Sequence, residues 1–195
     1  MTKSNKHIGL YFGSFNPIHI GHLIIGQYMN EFTDLDEVWF VVSPHNPLKD
    51  KKTLLPDLNR LYMVNVAVED DSKLRSCNIE FHMPKPSYTI DTLAYLGEKY
   101  PDYSFILIGG TDILPSFHKW KNYQQLLSNY KIYIYNRPGY NTGEFQSHPN
   151  ISFFEAPQME ISASFIRNAI KEGKDVSYML PSKVWKYIDE MNFYK

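Results

Sequence analysis

Two histidines near the amino terminus have the type and the spacing that phosphate chemistry needs. His19 and His22 belong to the run Gly-Ser-Phe-Asn-Pro-Ile-His-Ile-Gly-His at residues 13–22. Side chains three apart in the first turn of a helix point the same way, so two imidazoles can face one ligand. The first N–H groups of a helix also lack intrahelical partners and lie at the positive end of its dipole. We therefore expect a phosphate group here; the alternative is a glycine-containing turn with two solvent-facing histidines.

The segments on either side predict that this run is a strand-to-helix turn. Residues 8–12 are apolar without clear polar alternation, which favours a central strand covered on both faces. Apolar residues then recur at three-to-four spacing, which predicts a helix, and residues 37–42 predict a second strand. Strand, helix and strand in this order imply a right-handed parallel crossover. Gly13 would let a ligand approach the backbone, and Gly21 would let the helix start pack closely.

The remaining segments continue the alternation of strands and helices. Further strands are predicted at residues 74–81, 103–108, 131–135 and 151–154. Helices are predicted from a cap at Asp57 to residue 67, and over residues 87–100, 113–117, 126–127 and 182–191. A further amphipathic helix, closed by Gly173, is predicted with the segment at 161–167. Residues 140–149 are predicted to be an exposed loop. The pattern indicates an α/β protein with a Rossmann-like doubly wound parallel sheet, in which residues 1–195 form a single domain.

Composition narrows the class of partner. The chain has 195 residues, with 20 basic and 21 acidic side chains, so a polyanion-binding surface of the kind that nucleic acids require is not expected. Cys77 is the one cysteine, which excludes an internal disulfide and a cysteine-based zinc cluster; we expect a small buried apolar residue. No apolar run approaches the ~20 residues that span a bilayer. We expect a cytoplasmic protein with small-molecule partners and no membrane; the aromatic content is compatible with a homo-oligomer.

Several motifs resemble known families. The run at residues 13–22 resembles the signature of the HxGH nucleotidyltransferase superfamily, and its last four letters also match the HIGH signature of class I aminoacyl-tRNA synthetases, which share this fold and chemistry. Four further segments resemble bacterial nicotinate-mononucleotide adenylyltransferases: Pro-x-x-Pro-x-Lys at 44–49, Ser-Tyr-Thr-x-Asp-Thr-Leu at 87–93, Gly-x-Asp at 110–112 followed by Trp120, and Ile-Ser-x-Ser-x-Ile-Arg at 161–167. The resemblance covers nearly the whole chain, and no KMSKS-like loop supports the synthetase interpretation.

This resemblance implies transfer of AMP from ATP to nicotinate mononucleotide, giving deamido-NAD and pyrophosphate in NAD biosynthesis, with Mg²⁺ carried by ATP and no metal site built by the protein. The implied catalytic residues are His19, His22, Lys49, Ser164 and Arg167. The implied ATP contacts are Gly13, Ser14, Phe15, His19, His22, Gly109, Asp112, Ile161, Ser162, Ser164 and Arg167. The implied mononucleotide contacts are Asn16, Lys49, Tyr88, Thr89 and Trp120.

Each of these assignments has a simpler alternative. Lys49 is expected to bind a phosphate, although the loop could be a solvated charge run. Asp112 could cap the short helix that follows it, and Trp120 could be a partly buried aromatic residue. The serines of residues 161–167 could serve only as helix caps. The segment around Thr89 could likewise be a capped helix start, although free N–H groups there suit the nicotinate carboxylate.

Other functions remain open at this point. Pantetheine-phosphate adenylyltransferases usually carry threonine in place of His19 and lack the segment at 87–93. The sequence does not separate nicotinate mononucleotide from its amide, although the segment around Thr89 favours the acid. A catalytically silent nucleotide-binding protein of the same fold would be expected to lose some of His19, His22, Ser164 and Arg167. A tRNA-binding synthetase fragment would need a basic face.

Overall fold

Six parallel strands form one open sheet in the computed structural model, which describes residues 5–44 and 54–195. The strands are β1 (Lys6–Gly13), β2 (Glu37–Val42), β3 (Leu74–Cys77), β4 (Tyr103–Gly110), β5 (Ile132–Tyr135) and β6 (Ile151–Phe154). Their spatial order is β3-β2-β1-β4-β5-β6. All six positions of β2 are buried, as expected for a strand that is covered on both faces. The predicted doubly wound parallel sheet is confirmed.

Helices cover both faces of the sheet. In the described ranges they are α1 (Ile20–Glu31), α2 (Asp57–Val68), α3 (Thr89–Lys99), α4 (Leu114–Phe117), α5 (Tyr123–Asn129), α6 (Ala163–Lys171) and α7 (Ser182–Glu190). Buried side chains of α1, α2, α6 and α7 pack in one apolar cluster, and those of α3, α4 and α5 pack in another. Successive side chains of a strand point to opposite faces, and accordingly Leu10 belongs to the second cluster and Tyr11 to the first. None of these helices is long and apolar enough to cross a membrane.

The strand order places a switch point at the centre of the sheet. From β1 the chain moves outward through β2 and β3, and it then returns to β4 on the other side of β1. The helices that follow β1 and β4 therefore lie on opposite faces, and the carboxyl ends of these two strands border a crevice. Open parallel sheets bind ligands at such a crevice.

The start of α2 differs from the prediction. Asp57 is the first residue of the helix and Pro56 occupies the cap position, so the predicted cap at Asp57 is wrong. The Asp57 carboxylate instead accepts the N–H of Leu58 at 3.1 Å and lies 3.6 Å from the ammonium group of Lys85. Leu58, the next residue of α2, is 67% exposed and does not join the core.

Two other segments were also assigned too simply. β3 ends at Cys77 and is followed by a 3-10 helix, Ile79–His82, because Glu80 turns inward rather than continuing the alternation of a strand. Residues 140–149 are not a simple exposed loop, since they contain a 3-10 helix, Gly143–Ser147, whose Phe145 is buried. Cys77 is partly exposed, and burial of the thiol raises its pKa to about 11.

Candidate active site

A cleft of about 1250 Å³ opens at the carboxyl ends of β1 and β4. Sites for one drug-sized ligand usually enclose about 300–1000 Å³, so this cleft has room for two nucleotide-sized ligands. Its walls include every predicted site residue that the structure describes: Gly13, Ser14, Phe15, Asn16, His19, His22, Tyr88, Thr89, Gly109, Asp112, Trp120, Ile161, Ser162, Ser164 and Arg167. Lys49 lies outside the described residues, and its assignment stays a prediction.

The two histidines lie side by side at the start of α1. His19 occupies the position before the helix and His22 is its third residue. Their rings stack with centroids 3.7 Å apart, and the backbone N–H of His19 donates to Nδ1 of His22 at 3.2 Å. Neutral His22 therefore carries its ring proton on Nε2, the nitrogen that can donate to a ligand. The two imidazoles are therefore adjacent, and the expectation that they face one ligand together stays a prediction.

His19 is held neutral by its surroundings. The residue is 5% exposed, so the solvent-facing alternative is wrong for it. Burial, assisted by the positive charge of Arg137, lowers the pKa of His19 to about 4. Among the described residues, Nδ1 of His19 has no hydrogen-bond partner although it is buried. An anion bound nearby would offset the field of Arg137 and would favour protonation of this imidazole.

The glycines of the turn make room for its own rings. A Cβ at Gly13 would lie 2.7 Å from the ring of Phe15, and a Cβ at Gly21 would lie 3.1 Å from Nδ1 of His19. Phe15 is 2% exposed, and its ring meets that of His22 edge to face with centroids 5.1 Å apart. The structure thus supplies a packing reason for two glycines that we expected to make room for a ligand and for helix packing.

The start of α6 lines the same cleft and contacts this turn. Ser162 caps the helix, because its Oγ accepts the N–H of Phe165 at 3.1 Å. The guanidinium of Arg167 donates to Oγ of Ser164 at 3.1 Å and to the carbonyl of Asn16 at 2.8 Å. A cation and a hydroxyl are thereby held beside the histidine turn. The predicted helix with its carboxyl-terminal glycine is confirmed, since Gly173 has φ +71° and its N–H bonds to Ile170.

The start of α3 forms another part of the cleft. Tyr88 occupies the cap position and Thr89 is the first helical residue, so the first N–H groups of α3 lie near the cleft wall. Trp120 lies on the same wall and packs on Phe117 with ring centroids 5.1 Å apart. The ammonium group of Lys121 lies 4.8 Å from the centre of the Tyr88 ring. Aromatic faces and free amide donors are thus combined at this end.

A buried carboxylate supports the start of α3 from behind. Glu80 is 2% exposed, and its two carboxylate oxygens accept the hydroxyls of Ser87 and Thr92, each at 2.9 Å. Burial raises the pKa of Glu80, and the hydroxyl donors act in the opposite direction. Ser87 precedes the helix and Thr92 is in its first turn, so Glu80 fixes the segment that carries Tyr88 and Thr89.

An ion pair stands at the carboxyl ends of β4 and β5. Arg137 lies 3.1 Å from the carboxylate of Asp112, and its backbone N–H donates to Oγ1 of Thr111 at 2.9 Å. The carboxylate of Asp112 is thus paired with Arg137. The cap position of α4 is occupied by Ile113, so the alternative that Asp112 caps this helix is wrong. A Cβ at Gly110 would come within 2.4 Å of Asp112 and 2.8 Å of Arg137.

Several cleft residues were missed by the sequence analysis. Arg137 could have been found, because it follows a predicted strand and therefore had to lie at the carboxyl edge of the sheet. Tyr11 and Tyr135, whose hydroxyls are 3.0 Å apart, had no comparable signal, because they are 124 positions apart in the sequence. The sequence also carried no signal that Glu80 supports the cleft. In the described ranges, no group of three or more His, Cys, Asp or Glu side chains could hold a metal ion.

Comparison with known proteins places the chain in a family. A sequence model of the cytidylyltransferase-like family matches residues 10–169. The probable nicotinate-nucleotide adenylyltransferase of Flavobacterium johnsoniae is 56% identical over 96% of this chain and 98% of its own length. The protein of the same name from Bacteroides thetaiotaomicron is 46% identical over 97% of this chain and 95% of its own length.

A solved structure has the same fold. The structure of Plasmodium falciparum nicotinic acid mononucleotide adenylyltransferase complexed with NaAD matches with a TM-score of 0.82 over 97% of both chains, at 22% identity. At that identity the likeness concerns the fold. The sequence matches show that the chain belongs to the cytidylyltransferase-like family and, within it, to the nicotinate-nucleotide adenylyltransferases.

Proposed function

We propose that this chain, acting as one domain, transfers the AMP group of ATP to nicotinate mononucleotide and produces deamido-NAD and pyrophosphate in NAD biosynthesis. One observation carries the proposal: a single cleft combines the histidine turn and Arg167, which suit a polyphosphate, with the start of α3 and Trp120, which suit a pyridine carboxylate. The relatives with the family name match this chain over nearly their whole length, which supports the same assignment.

The reaction needs alignment and charge stabilisation more than proton transfer. A phosphate monoester has a second pKa of about 6 and is largely dianionic at neutral pH, so the acceptor needs no general base. One of its oxygens attacks the α-phosphorus of ATP; the bond from that phosphorus to the α,β-bridging oxygen breaks, and pyrophosphate leaves with the electron pair. Donors placed around the oxygens that gain charge lower the barrier.

The cleft supplies such donors. We assign the Nε2–H of His22 to the α-phosphate and His19 to the bridging and leaving phosphates. Ser164 and Arg167 are assigned to the β- and γ-phosphates, since Arg167 is held between Ser164 and the Asn16 carbonyl and both side chains line the cleft with the histidines. ATP is taken as its magnesium complex, the substrate form in which the ion keeps most of its water. Lys49, which lies outside the described residues, is the proposed ligand of the acceptor phosphate.

The other end of the cleft suits the acceptor base. The first N–H groups of α3, around Thr89, can donate to a carboxylate at the positive end of the helix dipole. The indole of Trp120 can stack on the pyridinium ring and attract its charge to the ring face. An amide would offer the α3 N–H groups a single neutral acceptor oxygen, so the acid is the proposed substrate.

The test is a direct assay of the reaction. The chain is incubated with ATP, magnesium and nicotinate mononucleotide, pyrophosphate is quantified, and the nucleotide product is identified by mass. We expect deamido-NAD and pyrophosphate in equal amounts. Pyrophosphate release without the dinucleotide, or no turnover with this acceptor, would contradict the proposal.

A further inference from the structure

Arg60 is buried beneath the turn that follows β1. The residue lies on α2 and is 1% exposed. Its guanidinium donates to the carbonyls of Ser14 at 2.6 Å, Ser43 at 2.8 Å, Leu55 at 3.0 Å and Pro44 at 3.1 Å. All four acceptors are main-chain carbonyls, so one planar cation joins the histidine turn to the end of β2 and to the start of α2.

This contact sets the direction of a cleft amide. In a trans peptide the C=O and the following N–H point in opposite directions. The carbonyl of Ser14 points at Arg60, and the Ser14–Phe15 bond is not among the cis bonds of the described chain. The N–H of Phe15 therefore points away from Arg60. Because Ser14 and Phe15 line the cleft while Arg60 lies beneath them, this N–H faces the cleft.

The turn needs such support because its backbone is strained. Phe15 has φ +43°, in the left-handed region that a bulky side chain rarely adopts. A residue in that region keeps its conformation only when its surroundings enforce it. Arg60 holds the residue before Phe15, and a different contact holds the residue after it.

That second contact comes from Tyr194, which follows α7. Its hydroxyl donates to Oδ1 of Asn16 at 2.8 Å, and the N–H of Leu55 donates to the same oxygen at 3.2 Å. The carbonyl of Asn16 accepts Arg167 at 2.8 Å. Tyr194 thus fixes Asn16, the residue whose carbonyl accepts a hydrogen bond from Arg167, the predicted phosphate-binding arginine.

We infer that Arg60 and Tyr194 are positioning residues that hold the 14–16 turn so that the Phe15 amide and Arg167 meet the triphosphate. Neither side chain needs to touch the nucleotide: Arg60 acts through the Ser14 carbonyl, and Tyr194 acts through Asn16. The inference rests on the proposed function only in taking a polyphosphate as the ligand of this turn.

The test uses titration calorimetry to compare the binding of two parts of ATP, pyrophosphate and adenosine. Arg60→Lys keeps the charge but cannot reach four carbonyls with a planar fork, and Tyr194→Phe removes one hydroxyl. We expect pyrophosphate to bind about tenfold more weakly to Arg60→Lys and a few-fold more weakly to Tyr194→Phe, because a misplaced donor weakens every contact that depends on it. Adenosine, which has no phosphate, should bind both variants with an affinity within about twofold of the wild type.

Two control variants separate positioning from general loss of stability. Tyr133→Phe also removes a hydroxyl, one bonded to Asp34 outside the cleft, and it should leave pyrophosphate binding unchanged. Met63→Ala opens a gap in the buried face of α2 and should lower the melting temperature without changing the ratio of the two affinities.

The outcomes are distinct. Equal weakening of pyrophosphate and adenosine, or unchanged pyrophosphate binding in Tyr194→Phe, would overturn the inference. If Arg60→Lys does not fold, Tyr194→Phe decides alone. The titrations use no acceptor, so turnover of the wild type with nicotinate mononucleotide tests the proposed function separately.

Discussion

The backbone N–H of His19 donates to Nδ1 of His22, and this bond determines which nitrogen of His22 faces outward with a proton. The two rings stack at 3.7 Å, so neither can turn without displacing the other. An ordinary capping contact thereby prepares a ring N–H donor at the positive end of α1 before any ligand arrives. Donors that are oriented in advance avoid reorganisation during the reaction.

Replacing His22 should lower turnover more than ATP binding. Loss of one such donor costs about 2–4 kcal/mol of transition-state stabilisation, so His22→Ala should lower kcat by about 30-fold to 1000-fold with a modest change in KM for ATP. His22→Gln can place an amide nitrogen near the position of Nε2, whereas His22→Asn replaces only Nδ1. In steady-state kinetics, kcat of His22→Gln should therefore be higher than kcat of His22→Asn. A parallel loss of turnover and ATP affinity would contradict the assignment.

His19 should make the folded protein sensitive to acid. Its pKa is about 4 in the folded protein and 6.5 unperturbed, so between these values the unfolded chain binds a proton that the folded chain does not. Stability therefore rises with pH across this window and is lost as the pH falls through it. The contribution of His19 should fall by about 2 kcal/mol between pH 7 and pH 5.

Urea denaturation at both pH values measures this effect. The His19→Asn variant lacks the titrating group, so its free energy of unfolding should change less between pH 7 and pH 5 than that of the wild type. The difference between the two proteins cancels the contribution of other titrating groups. Identical pH dependence in both proteins would show that His19 is not held neutral by burial.

Gly110→Ala should disturb the ion pair of Asp112 and Arg137. The added Cβ would lie 2.4 Å from the carboxylate of Asp112, so the pair must move apart or the strand must shift. We expect a higher KM for ATP and a stability loss of about 1–3 kcal/mol. Gly97→Ala is the control, since that position on α3 has open space around it and should gain stability by up to about 1 kcal/mol. Unchanged kinetics in Gly110→Ala would show that the pair has no part in the site.

Glu80→Ala should weaken the use of nicotinate mononucleotide and leave ATP binding unaffected. Its carboxylate fixes Ser87 and Thr92 on either side of the segment that carries Thr89, so loss of both bonds should loosen the start of α3. We expect KM for nicotinate mononucleotide to rise about tenfold, with KM for ATP nearly constant. Glu80→Gln keeps one acceptor oxygen, so its KM for nicotinate mononucleotide should lie between those of the wild type and Glu80→Ala. An increase in both KM values would indicate a general loss of structure.

The sequence predicted most of the architecture because it depends on local patterns. The bounds of β2 match the prediction because an uninterrupted apolar segment ends at Ser43-Pro44, and α6 ends where Gly173 permits a positive φ. That the histidines, Ser164 and Arg167 share one cleft was also predictable from the sequence, because each follows a strand or lies near the start of a helix.

The remaining parts of the site depend on contacts between distant residues. Arg60 resembles any helical arginine in the sequence, and only the fold shows that the carbonyl of Ser14, 46 positions earlier, accepts a hydrogen bond from it. Glu80 similarly reads as part of a strand until Thr92 is placed above it. Local patterns carry no information on such pairs, because burial of a charged residue is decided by tertiary packing.

The measurement that tests the central claim most directly is pyrophosphate release with ATP, magnesium and either nicotinate mononucleotide or its amide, compared as kcat/KM. The start of α3 offers N–H donors to a carboxylate, so we predict a strong preference for the acid, which Glu80→Ala should reduce. Equal use of both acceptors, or preference for the amide, would contradict the assignment of the α3 end of the cleft to the nicotinate carboxylate.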